Sequence, residues 1–327
     1  MDKSIKTDDK NSKNKKSPTR RAVALLSVLT VIFSALAFLS MRFTLVVTLV
    51  PFFVCSVVTL TCVFFYTKNP LAVALPFLPF AVNLQSPVST LSCGWLILLC
   101  AGVIFILLRT RVDSFPFLIA GGTVYALSAG LGTVMYLIHA FGSVSEALDV
   151  FRTVYANFVT SWLSQLGEEF IKIYVELFDQ VIFMMPSILM IAGLFAMWIT
   201  KWSIVIVTYI TVGKRRIFGA FTHAPVPLAA AFLLLSFASM FFMFADAETY
   251  YVVNNVINVL TFVFMGEGIG AFLFERGSGS IDLKTVLIVL GLSMMIFILP
   301  SIVISIVAYY GAFRTILRKM PKPNHLD

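Results

Sequence analysis

Residues 249–276, TYYVVNNVINVLTFVFMGEGIGAFLFER, set three asparagines and one glutamate inside a run apolar enough to sit in lipid. Asn254 and Asn258 are one helical turn apart and share a face, and Asn255 flanks that face. A carboxamide offers donors and an acceptor but no charge, so the available chemistry is hydrogen bonding, either to a small polar solute or to a neighbouring helix. Interhelical hydrogen bonds in a bilayer return on average only about 0.6 kcal/mol. A solute site therefore stands beside the packing reading. Glu267 lies beyond Asn258 by roughly 13.5 Å along a straight helix and on its opposite side, so it cannot complete one compact pocket with the asparagines. A carboxylate near the bilayer centre costs about 3 kcal/mol on insertion scales. Its expected partner is a cationic group of a neighbouring helix or of a bound solute. Asn254, Asn255, Asn258 and Glu267 are the candidate ligand-binding residues.

Other chemistry finds no local support. His139, His223 and His325 are far apart, and the chain contains no HExxH, GxSxG or Walker loop. The expectation is a non-enzyme without a cofactor or metal. Active transport of a solute would then need an ion gradient or a separate ATPase partner. Cys55 and Cys62, and Cys93 and Cys100, are spaced i, i+7 within apolar runs and form no CxxC, which reads as small packing residues. The net charge of +8 does not imply nucleic acid, because eight Lys and Arg fall in the first 21 residues and others cluster at Lys214, Arg215, Arg216 and near the C-terminus. Those positions orient membrane helices.

The elements that position these residues must be lipid-solvated. Of 327 residues, 59% are hydrophobic and 12% charged, and the mean hydropathy is +0.96. Long uninterrupted apolar runs predict an all-α, polytopic transmembrane bundle rather than a barrel, with about eight to nine membrane segments. Residues 1–21 form a basic cytoplasmic tail expected to be disordered, and 22–142 an N-terminal transmembrane block with spans at 22–41, 43–66, 88–108 and 116–138. Residues 71–84, with Pro76 and Pro79, are short for a bilayer and either cross kinked or re-enter. Residues 143–180 are an amphipathic extracytoplasmic segment. There Ser143 and Glu146 have capping-box spacing, Gly167 is the expected break between two helices, and acids outnumber bases. It lies on the bilayer or covers the mouth of the bundle. Residues 181–316 form a C-terminal transmembrane block, beginning with one long helix over 181–212 that carries Lys201 at the inner interface, and 317–327 a polar tail. The final span is expected over 285–311.

Small residues mark the expected helix contacts: Gly122, Ala126 and Gly130 on one face, and the Gly266, Gly270 pair around Glu267. The basic residues conflict with a simple count. Nine crossings beginning inside would leave Arg314, Arg318, Lys319 and Lys322 outside, against the positive-inside rule. A helix that enters and leaves on one side near Gly266 would repair this.

The asparagine stretch with GEGIGAF, together with the preceding KRRIFGAFTHAPVPL turn, resembles the C-terminal half of the YybS-like family of bacterial membrane proteins. The resemblance covers residues 20–318 and implies the same order of spans but no assigned activity. The N-terminal spans are also similar to the substrate-binding membrane subunits of energy-coupling-factor vitamin transporters. That similarity implies a compact bundle whose first helix carries an AxxxA contact for a coupling partner, a motif residues 22–41 lack. The resulting expectation is a multi-pass protein of a bacterial plasma membrane, N-terminus cytoplasmic, that contacts the lipid bilayer and binds or helps move a small polar solute. The alternative is a non-catalytic interaction or assembly protein.

Overall fold

The computed structural model describes residues 19–43, 46–67, 69–82, 87–162, 168–213, 223–242, 247–274 and 301–318. Every element among them is helical: α1 (Arg20–Arg42), α2 (Val46–Thr67), a 3-10 helix (Pro70–Val82), α3 (Pro87–Arg109), α4 (Ser114–Phe141), α5 (Val144–Trp162), α6 (Glu168–Val212), α7 (Val226–Phe242), α8 (Ala247–Phe274) and α9 (Ser301–Leu317). In lipid a segment must satisfy its own backbone groups, and these apolar runs do so as helices. Six of the described helices are long and apolar enough to cross a membrane, and three shorter apolar ones accompany them. The protein is thus built as a helical membrane protein.

Residues 70–82 coil as a 3-10 helix rather than an α-helix. Pro76 and Pro79 each lack a backbone N–H, and their three-residue spacing matches the 3-10 period. At about 2.0 Å rise per residue the element reaches roughly 26 Å, longer than an α-helical reading gives.

Two apolar cores organise the bundle. The first joins α1, α2, the 3-10 helix, α3 and α4 to the second half of α6 through Leu60, Ile97, Ile104, Phe117, Met197 and Ile204. The second joins α7, α8 and α9 through Phe232, Phe264, Ala308 and Ala312. Phe115, near the start of α4, packs against the second core and ties the two together. Cys62, Cys93 and Cys100 are buried free thiols, and Cys55 is half-buried.

Close helix contacts depend on small residues. A Cβ on Gly122 would meet the Leu194 backbone, and one on Gly193 would meet the Gly122 carbonyl and the Ala126 amide. Gly122 and Ala126 therefore lie at the α4–α6 contact, where the helices run antiparallel. Gly130 stands farther off, in ordinary contact with Leu189. Tyr125 Oη, 2.7 Å from Thr200 Oγ1, adds a buried polar link between the same two helices.

α6 has no break at residues 180/181. It runs unbroken from Glu168 to Val212, so the amphipathic stretch after residue 167 and the following span are one helix. Gly167 itself lies outside the described residues. The turn between α4 and α5 is made by Gly142, whose φ of 84° suits glycine and whose N–H donates to Ile138 O at 2.9 Å. Ser143 Oγ then accepts the Glu146 N–H at 3.1 Å, capping α5.

The C-terminal helices make their close contact on a different face from the expected one. Gly266 is exposed, and a Cβ there would meet nothing among the described residues. Gly268 and Gly311 make the contact instead. A Cβ on Gly311 would meet Phe264 O and Gly268 N, while one on Gly268 would meet Val307 O. Cα–Cβ bonds lean towards the helix N-terminus. Each contact falls N-terminal of, or level with, the opposing glycine, the reciprocal pattern of parallel helices. Gly270 lies on α8 outside the residues whose surroundings are described. α8 is continuous through Gly266 to Phe274, and the residues after it, where a re-entry would turn, lie outside the described residues. Since α9 runs parallel to α8, Arg314 and Arg318 share the side of Glu267. The expected span over 285–311 falls largely outside the described residues, which take up the chain again at Ser301. Residues 275–300, Lys214 to Arg216 and the polar tail beyond 318 lie outside the described residues.

Candidate functional site

The asparagine face of α8 meets α6 at a proline. Pro186 lies within α6 and cannot donate a backbone hydrogen bond to the preceding turn. Around it, Phe183 C=O and Ser187 N–H are the groups that a regular α-helical turn pairs. The Asn255 carboxamide addresses both. Its Oδ1 accepts the Ser187 N–H at 3.1 Å, and its Nδ2 donates to Phe183 O at 2.8 Å and to Tyr251 O on its own helix at 3.0 Å. The oxygen and the amide nitrogen are both engaged by backbone. The Phe183 and Tyr251 rings stack beside this contact, 4.9 Å apart and 7° from parallel.

Asn254 and Asn258 present their Nδ2 atoms to the Met184 thioether, at 3.9 and 4.0 Å. A thioether is a weak acceptor, so these contacts are chiefly packing. The three asparagines converge on one stretch of α6, Phe183 to Ser187, and α6 and α8 run side by side there in the same direction. Pro186 is the residue that sequence reasoning missed. Its signal was available, since a proline inside a spanning helix frees backbone groups that a neighbouring side chain must satisfy.

Glu267 belongs to a separate cluster, about 18 Å along α8 from Asn255. Its Oε1 accepts the Ala224 N–H at 2.8 Å, and its Oε2 lies 2.8 Å from His223 Nδ1. Arg318 Nη1 lies 2.9 Å from His223 Nδ1 and 3.1 Å from Nε2. The arrangement suits the helix ends. The carboxylate sits just ahead of the N-terminus of α7, and Arg318 follows the C-terminus of α9, each charge opposing the partial charge of that end. The Glu267 side chain is 12% exposed and that of His223 38%. No local spacing foretold the cluster, because its members come from three elements.

Lys201, half-buried on α6, donates to Ser114 Oγ at the start of α4 and stands 5.8 Å from the Trp202 ring centroid. Arg109 and Arg111 close the preceding helix. From the Asn255 contact, Lys201 on α6 and Glu267 on α8 are roughly 21 Å and 18 Å away in the same direction. The Lys201 contact, the α3–α4 turn and the Glu267 cluster thus share one end of the bundle.

What the arrangement can do chemically is bind helix to helix, through the backbone hydrogen bonds of Asn255 and the packing of Asn254 and Asn258 on Met184, and gather charge at one end. Among the described residues, no group of three or more His, Cys, Asp or Glu is placed to hold a metal ion. Comparisons with protein-family models, with curated proteins and with solved structures find no match for this chain.

Proposed function

We propose that the chain is a non-catalytic membrane interaction or assembly protein whose α8 asparagines hold helices together. One observation carries this reading: the Asn255 carboxamide has its oxygen and nitrogen occupied by the backbone of α6 and α8. A solute site needs polar groups with spare capacity, whereas a structural joint needs them satisfied. The proposed setting is a bacterial plasma membrane with the N-terminal tail in the cytoplasm. Arg109, Arg111, Arg314 and Arg318, gathered at one end, support that orientation. The resemblance to the YybS-like family fits this reading and adds no activity to it.

A second reading rests on the other cluster. Glu267, His223 and Arg318 are ionisable groups meeting at a helix contact, a combination that suits coupling of a polar solute to an ion. One experiment separates the two. Thermal unfolding of the detergent-purified protein is followed across a library of vitamins, nucleosides, amino acids and ions, since a ligand of the folded state raises the melting temperature. The interaction reading predicts no shift that depends on the polar residues. A shift lost in a folded Asn254→Ala, Asn258→Ala variant would overturn it. A shift lost only in Glu267→Gln would establish the second reading.

A further inference from the structure

α5 is positioned by its neighbours at a definite height on the bundle. Arg152 pairs with Asp179 at 2.5 Å, and the Tyr155 and Phe178 rings stack at 5.4 Å. Residues one turn apart on α5 thus meet adjacent residues of α6. At the near end, Phe151 packs edge-on against Phe141, the last residue of α4, at 5.4 Å. The height is counted from Lys201, which bonds Ser114 beside the charged Arg109–Asp113 turn, while α6 itself continues to Val212. Asp179 is about 33 Å up α6 from Lys201 at 1.5 Å per residue. The hydrocarbon core is about 30 Å thick. α5 therefore joins α6 just past the opposite boundary, in the headgroup layer.

Its surface is divided in a way the protein alone does not use. Ala147 and Val159 are buried, and Tyr155 is half-buried, so this stripe faces the bundle. Val150, Val154, Phe158 and Trp162 recur every four residues on the adjoining stripe and are 45%, 61%, 59% and 75% exposed. Glu146, Asp149, Thr153 and Thr160 occupy the far side. The apolar arc is wider than the part covered by α4 and α6, and at the same height Tyr174, Leu177 and Val181, spaced i, i+3, i+7 on one face of α6, are also exposed.

We infer that α5 is an interfacial anchor whose Val150, Val154, Phe158 and Trp162 stripe is buried in the headgroup and acyl boundary of the leaflet opposite the Lys201 end. The occupant is lipid for two reasons: the height matches the interface, and an exposed apolar face of α6 accompanies the stripe at that height. The polar side carries more acid than base, so insertion is driven by apolar area and not by attraction to anionic lipid.

The test uses the full chain, its four native cysteines replaced by alanine, in phosphatidylcholine vesicles with and without phosphatidylglycerol. Nitroxides are attached through Val154→Cys and Phe158→Cys on the stripe and through Asp149→Cys and Thr153→Cys on the polar side, each in protein that remains monodisperse. Stripe nitroxides are expected to collide more with oxygen than with an aqueous nickel chelate, at a depth of about 5–10 Å. The order should invert on the polar side, and the pattern should not change with anionic lipid or salt. Nickel access on the stripe equal to that on the polar side would overturn the inference. So would protection from both probes, which would mean that a second copy covers the face.

Discussion

Removing the Asn255 carboxamide is the sharpest perturbation of the α6–α8 joint. Asn255→Ala leaves Ser187 N–H and Phe183 C=O without their partner, in a segment where Ser187 is 2% exposed. A buried polar group stripped of its partner costs about 1–3 kcal/mol. The two groups can partly recover by pairing with each other across the turn, so the expected loss is about 1–2 kcal/mol, above the roughly 0.6 kcal/mol average for interhelical bonds. Equilibrium unfolding in mixed micelles reads it directly. Pro186→Ala supplies the control: the restored N–H pairs with Ile182 C=O, and without the ring crowding the preceding turn the Ser187 N–H can close on Phe183 C=O, which leaves less for Asn255 to do. In that background Asn255→Ala should cost less, with a coupling of about 0.5–3 kcal/mol. The reasoning is refuted if Asn255→Ala stays within about 0.5 kcal/mol of the parent, or if its cost is the same in both backgrounds.

Other substitutions test the remaining contacts. Gly311→Ala drives a Cβ against the Phe264 carbonyl and should destabilise by about 1–3 kcal/mol, whereas Gly266→Ala, facing open space, should be neutral or slightly stabilising. Unfolding in mixed micelles checks both. Tyr125→Phe removes the buried link to Thr200 and should cost about 0.5–1.5 kcal/mol in the same assay. Arg152→Ala breaks an ion pair whose side chains are 53% and 39% exposed, so its cost should fall within about 0–1 kcal/mol and shrink with added salt.

Helices were legible because the apolar runs leave the backbone no other way to satisfy itself in lipid. The start of α5 was legible for a local reason, since Ser143 and Glu146 act within one turn. Direction was not. Hydropathy carries no sense of up or down, so nothing in residues 301–317 told that α9 runs parallel to α8. Spacing alone did not single out Gly268, because several glycines on α8 have packing-compatible spacing and only the rotation of the helix against α9 brings Gly268 into the contact. The asparagines were conspicuous as polar groups in an apolar run, but their partners, the Met184 thioether and the backbone beside Pro186, lie on a helix far away in sequence. Glu267 was visible, while His223 reaches it, and Arg318 reaches His223, only through the fold.

The central claim is that the asparagine face of α8 is a dry helix contact. In a cysteine-free background, Asn254→Cys and Asn258→Cys are introduced singly, leaving Asn255 in place, and Thr160→Cys on the exposed side of α5 serves as reference. A water-soluble maleimide is applied to the purified protein in vesicles opened to both sides. The account predicts rapid labelling at residue 160 and protection at 254 and 258. Labelling of either asparagine position at the reference rate would place water against that face and contradict it.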